Sequence, residues 1–459
     1  MRTISWAAAL LPLIAVAAGG VASAQQEQDF AFLASATATW SDNAGRATNA
    51  PVAATALDGL IGLHVVHNSP TLYVDGQVTE LQRVYLEGHL PDQTIPNGNL
   101  SLIWRPTGEL FSWTVSDSLG QISTQPFDAL IANDRQTVNV ASTGPDLRIP
   151  LSSENHLDLS GRYADDHYGN AALNDHNYQG RGDLAHDFGA SGSQIALAYE
   201  YRRIDYELNS LGTAQIETVY GQYRIAGART YIVLEGGEDQ LDQGSSPRQR
   251  TPHVLAVLQR HLTQTLLFEA GYVHRYTNAA EAFVTDSRDA FSAGGDQTVQ
   301  AVALPFEQSY GYGELKRSQG RLQLALEFTV DREKFPADVT SERHASGGNL
   351  AVDYQLASRL AFNLRAGYYE QTFPDLQQNE HWLSGSVGLS RQLTSSLHLA
   401  LTAMHIKGTG NVLNARFTEN RAWLVLSYEP GAARLQRIYD ANLPLRLYDR
   451  PVVTTPPLH

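Results

Sequence analysis

Asp165-Asp166-His167 sets two carboxyl groups beside an imidazole, the side chains that elsewhere activate water for hydrolysis. A working site of that kind needs partners from other parts of the chain, and no second matching cluster is present. The residues therefore read better as a solvated stretch than as a catalytic one. G-x-S-x-G, H-E-x-x-H, the phosphate-binding P-loop and the dinucleotide fingerprint are all missing. The 15 histidines are scattered without ligand spacing, and there is no cysteine to act as metal ligand or nucleophile. No catalytic residue, metal or other cofactor is expected, and the chain reads as no enzyme.

A second kind of chemistry is electrostatic. Arg162, Glu200, Arg202, Glu269, Arg275, Arg321, Glu327, Asp331 and Arg365 each sit in a segment where polar and apolar residues alternate. Gathered on the inner wall of a channel, guanidinium and carboxylate groups set a field that selects solutes by charge and size. The plainer alternative is that they pair with one another and only keep the wall polar. The segment from Thr277 to Pro305 adds Glu281, Asp286, Asp289 and Asp296. It is the longest stretch between patterned segments, which marks it as a candidate constriction loop.

The elements that must hold these groups are strands. From Arg321 to Asp331, Leu322, Leu324, Leu326, Phe328 and Val330 fall on one side, with Gln323, Glu327, Thr329 and Asp331 on the other. Period-two alternation of this kind gives one apolar and one polar face. The pattern recurs along the chain and predicts 20 strands, or 18 if an early hairpin is not real. Tight turns such as Asn68-Ser69-Pro70 and Gln319-Gly320 alternate with long polar loops at 41–55, 81–97, 121–135, 240–249, 277–305 and 334–345. That wiring predicts an all-β fold, a transmembrane antiparallel outer-membrane β-barrel with short periplasmic turns and long outer loops. Tyr163, Tyr201, Tyr272 and Tyr368 fall on apolar faces toward the outer ends of rising strands, where an aromatic girdle belongs.

Residues 1–24 read as a signal peptide, with Arg2, an apolar core from Ile4 to Ala18 and a cleavage motif at Ala22-Ser23-Ala24. Removing them takes away one of the 33 basic residues and none of the 48 acidic ones, which leaves a net charge of −16. Such a balance argues against nucleic acid as a partner. Lysine occurs only at 316, 334 and 407, so nearly all positive charge is arginine, suited to planar two-pronged contacts. The barrel is expected over 25–429. A Pro-rich periplasmic tail is expected over 430–459.

The chain resembles a family of outer-membrane β-barrel porins associated with exopolysaccharide and exosortase (PEP-CTERM) systems. The likeness is carried by Trp40-Ser41-Asp42-Asn43, Asn133-Asp134-Arg135, Thr143-Gly144-Pro145, Arg365-Ala366-Gly367-Tyr368-Tyr369 and Glu419-Asn420-Arg421. The resemblance implies an outer-membrane location in a Gram-negative envelope and a role near polysaccharide export, and it brings no catalytic residues. Expected partners are outer-membrane lipid and lipopolysaccharide, the barrel-assembly machinery, polysaccharide and periplasmic export components. The alternative is a structural or adhesive surface barrel with a plugged lumen, and an integral outer-membrane hydrolase stands behind both. The location has a direct check. Membrane fractions should hold a band whose gel mobility changes on boiling, and recovery as a soluble periplasmic protein would rule the barrel out.

Overall fold

The computed structural model describes residues 27–48, 50–122, 136–189, 192–208, 212–244, 247–284, 304–335, 342–411 and 416–430. The signal segment, the tail beyond Pro430 and Asp286, Asp289 and Asp296 lie outside the described residues.

Twenty antiparallel strands follow one another around a single sheet. They are β1 (Glu27–Ser41), β2 (Ala54–Asn68), β3 (Leu72–Tyr85), β4 (Gln93–Trp104), β5 (Phe111–Ile122), β6 (Gln136–Pro150) and β7 (Asn155–Tyr168). Then come β8 (Asp175–Phe188), β9 (Ser193–Tyr206), β10 (Thr213–Ala226), β11 (Thr230–Asp242), β12 (Gln249–His261), β13 (Leu266–Thr277) and β14 (Phe306–Gln319). The set ends with β15 (Leu322–Lys334), β16 (Arg343–Ala357), β17 (Leu360–Phe373), β18 (Gln378–Gln392), β19 (Leu397–Gly410) and β20 (Phe417–Tyr428). Each strand pairs with its chain neighbours, and β1 pairs with β20 from Ala34↔Tyr428 to Ser41↔Arg421. The sheet is therefore closed and leaves no open edge, the condition for a sheet to cross lipid.

Alternation sorts the side chains. Leu322, Leu324, Leu326, Phe328 and Val330 of β15 point outward, and Phe328 and Val330 are 58% and 56% exposed. Ile61, Leu184, Leu197, Leu383 and Leu401 are exposed in the same outward phase on other strands. Large aliphatic groups left bare in this way form the lipid-facing band of a membrane barrel. The chain is an outer-membrane β-barrel.

Two expectations change. The loop assigned to 81–97 is only 86–92, because β3 and β4 are both longer than their patterns suggest. Pro96 lies within β4 opposite Glu80, a place its missing N–H made unattractive on sequence grounds. In addition, Trp104, Trp113, Tyr223, Tyr354 and Tyr428 point outward near the turn-bearing ends of their strands and form a second aromatic rim.

The faces differ in what they tolerate. Leu326 is the central member of the outward series of β15, so Leu326→Arg should cost about 2–4 kcal/mol at the bilayer midplane. Gln323→Arg, exposed on the lumen side, should change stability little. Urea unfolding in lipid vesicles measures both, and equal losses would mean that the faces are misassigned.

Candidate functional site

The inner wall carries the polar groups, and the outer mouth carries something more. After β13 the chain does not stay in the wall. Pairing between β12 and β13 ends at Val254↔His274, and Tyr276 turns into a buried cluster with Ile204, Tyr206, Ala214, Ile216 and Leu241. A short helix, α1 (279–284), follows. Asn278 caps it, its side-chain oxygen accepting from the Glu281 backbone N–H at 2.9 Å.

The helix packs inside the barrel against the far side of the mouth. Phe283 is fully buried among Ile122, Val138, Val140, Tyr168, Phe306 and Phe335, side chains drawn from β5, β6, β7, β14 and the end of β15. Gly120 on β5 makes room for it, since a Cβ there would come within 3.0 Å of the Phe283 ring. Polar contacts fix the other side of α1. Glu281 accepts from Arg202 at 2.5 Å and from the Thr277 hydroxyl at 2.9 Å, and pairs with Arg275 at 2.8 Å. Two guanidiniums from β9 and β13 thus converge on one carboxylate. Cutting one partner from a desolvated pair costs about 3–5 kcal/mol, so these contacts hold the segment in one place. The residues just after β13 thus lie against inward side chains of β9 and β13.

The other inward candidates are mostly paired along the wall. Arg162 meets Asp146 at 2.5 Å and the Pro145 carbonyl at 2.9 Å, and Asp146 also accepts from Thr114 at 2.9 Å. The ladder between β6 and β7 skips Gly144 and Pro145 to allow this. Only glycine fits at 144, because a Cβ would lie 1.9 Å from the Gly161 carbonyl oxygen. Arg202 also contacts Glu200 at 3.3 Å. Asp331 shares Arg343 with Glu333, at 2.8 and 2.7 Å. Arg365 holds Asp353 through both carboxylate oxygens at 2.9 Å. Glu269, Glu314 and Glu327 stand opposite one another across β13, β14 and β15, with Lys316 against the first two at 3.7 and 2.9 Å. Arg321 departs from expectation. It lies in the turn before β15 and is exposed there, below the strand wall. Pairing between neighbours predominates over the opposed rings that a transverse field would need.

The carboxyl–imidazole run of β7 is taken apart by the pleat. Asp165 faces outward and meets His176 at 3.1 Å, and His167 is contacted by the Asn174 amide at 3.2 Å. Asp166 turns inward, buried opposite Asp175 of β8. Neighbours on a strand point to opposite faces, so the three groups cannot converge on one substrate. Tyr163, Tyr201, Tyr272 and Tyr368 all face outward, and Tyr163 packs on Tyr178 with ring centroids 5.3 Å apart.

Sequence reading gave no hint of His253. It is buried on β12 between Asp239 at 3.0 Å and Glu235 at 3.2 Å, under the Tyr220 ring at 4.7 Å. Both ring nitrogens lie within hydrogen-bonding reach of carboxylates on the neighbouring strand, so the histidine ties β11 to β12. The lumen is unevenly filled. Inward groups of β9 to β13 are largely buried, whereas Gln323, Asn349 and Arg365 on β15 to β17 face open space.

Fold and lumen together define the class: an outer-membrane barrel with a polar, pore-like interior. No family model matches the chain, and no curated protein matches it. Among solved structures it is similar to the ferric enterobactin receptor PfeA from Pseudomonas aeruginosa, at 9% identity and a TM-score of 0.47, covering 89% of this chain and 82% of that one. It is also similar to the siderophore receptor PirA from Pseudomonas aeruginosa, at 10% identity and a TM-score of 0.45, covering 89% and 81%. The copper transporter OprC matches at 10% identity and a TM-score of 0.45, covering 88% and 80%.

The inserted helix is too short to stand by itself, so its hold should fail when its anchor is cut. Phe283→Ala should remove about 3–5 kcal/mol of packing and release the segment. Single-channel conductance in planar bilayers should rise, while far-UV circular dichroism and heat-modifiable mobility stay as in the wild type. Unchanged conductance would mean that α1 does not obstruct the path.

Proposed function

We propose that the protein is an outer-membrane pore serving exopolysaccharide export or the passage of an associated solute, with a constriction built from the segment after β13. The observation that carries the pore reading is the open, polar side of the lumen beside β15 to β17, next to a mouth narrowed by α1. The link to polysaccharide rests on the resemblance of Trp40-Ser41-Asp42-Asn43, Thr143-Gly144-Pro145 and Glu419-Asn420-Arg421 to the exopolysaccharide-associated porins. No group in the lumen needs to do chemistry for this role.

In this reading Arg162, Glu200, Arg202, Glu269, Arg275, Glu327, Asp331 and Arg365 keep the wall hydrated and nearly neutral, which suits an uncharged, hydroxyl-rich solute. Arg321 guards the periplasmic rim. Glu281 anchors the constriction, and Asp286, Asp289 and Asp296 give it a cation-favouring charge. Tyr163, Tyr201, Tyr272 and Tyr368 hold the outer lipid boundary beside lipopolysaccharide. Signal cleavage after Ala24, insertion by the barrel-assembly machinery and a periplasmic tail belong to the same reading.

A second reading, a plugged surface barrel, draws on the buried packing of β9 to β13 around α1. Two measurements separate them. Deleting residues 279–303 should raise conductance several-fold and weaken cation preference, and deleting the gene should lower secreted polysaccharide. A silent channel with and without residues 279–303 would favour the surface-barrel reading.

A further inference from the structure

In the wall of the lumen, β20, β1, β2 and β3 form a recess of about 260 Å³. Its floor is made of small residues, Thr37, Thr39, Ser41, Ala54 and Ala56. Its two sides match in kind. One carries Trp423 and the Arg421–Glu419 pair, the other Tyr85 and the Arg83–Asp58 pair. Arg83 grips Asp58 through Nε and Nη2 at 2.8 and 2.9 Å, and Arg421 grips Glu419 through the same two atoms at 2.9 and 2.8 Å. Each side therefore offers an aromatic face next to a guanidinium–carboxylate fork.

The recess is held in shape from above. Glu419 also accepts from Ser41 at 2.7 Å and from Arg46 at 3.2 Å, and Arg46 lies over the Phe417 ring at 5.7 Å. Arg46 has a φ of 48°, a left-handed backbone that costs a non-glycine residue energy and is kept by its partners. Meanwhile the Arg83 and Arg421 side chains remain 25% and 31% exposed, whereas Asp58 and Glu419 are buried, so the guanidiniums face the lumen.

We propose that this recess binds one pyranose unit of a neutral glycan. A sugar ring has an apolar face that lies on an aromatic side chain and a rim of hydroxyls that both donate and accept. The exposed member of each pair is the guanidinium, whose N–H groups can donate to neighbouring hydroxyls, and the buried carboxylate beside it already compensates its charge, so the site does not demand an anionic ligand. Small floor residues leave depth for the ring. The inference rests on the polysaccharide reading above and gives it a place on the wall where a passing chain would pause.

The test uses the full-length protein in detergent micelles and a panel of neutral gluco-, manno- and galacto-hexasaccharides, followed by calorimetry and by current block in bilayers. At least one hexasaccharide should bind. Trp423→Ala should weaken that binding roughly tenfold. The double variant Asp58→Asn/Arg83→Gln, which removes a fork without stranding a charge, should do the same. Gln323→Ala, lower on the open wall, should leave affinity unchanged, and heat-modifiable mobility reports that each variant is folded. Binding by none of the panel, or equal binding by wild type and both recess variants, overturns the site. The two readings fail separately: a conducting channel that binds no hexasaccharide loses the sugar site alone, and a non-conducting barrel that binds one loses the pore alone.

Discussion

Everything in this molecule follows from one requirement: inside lipid, each backbone N–H and C=O must find its partner within the protein. The pairing of β1 with β20 meets it by removing the last free edge of the sheet. Once the sheet is closed, the pleat alone decides the fate of each side chain, because successive residues face lipid and lumen in turn. Leu326 and Glu327 are neighbours in the chain and live in different solvents. The same rule that makes the barrel stable splits Asp165, Asp166 and His167 between two faces.

A closed barrel of twenty strands leaves an interior that the wall cannot fill. Here the space is divided. Around β9 to β13 it is taken up by buried groups, by the Tyr276 ring packed among them and by α1 crossing to β5, β6 and β7. Around β15 to β17 it stays open, and the nearby recess of β20 to β3 lies in the wall of the lumen. Glu281 decides where the boundary falls, because Arg202 and Arg275 reach it from two separate strands. Arginine suits the task, since its fork can grip a carboxylate and still leave N–H groups for a second acceptor.

The strands were legible because period two over a dozen residues is hard to mistake, and the structure has the 20 strands that the pattern predicts. The hairpin of β3 and β4 was less legible, since Pro91 and Pro96 read as loop residues while backbone pairing carries on through Pro96. Which way a charged residue faces was readable for Arg202, Glu269 and Arg275. What it touches was not, because Arg202 and Glu281 are 79 residues apart and no local spacing links them. His253 gave no signal for the same reason, its acids lying on the next strand at positions set only by register. The turn-side aromatic rim escaped notice because Trp104, Trp113 and Tyr428 each sit alone at a strand end. Their common level exists only once the strands are aligned.

The central claim is that residues after β13 occupy the mouth of the barrel, and the absence of cysteine makes it directly testable. A single thiol can be placed at Ala280, which is buried in α1, or at His89, exposed in the loop after β3. The measurement is the rate at which a membrane-impermeant maleimide labels each on intact cells. The account predicts that Ala280→Cys reacts far more slowly than His89→Cys, and that adding Arg202→Gln speeds it up. Labelling of Ala280→Cys as fast as His89→Cys in the otherwise wild-type chain would contradict it, for the segment would then stand in open water.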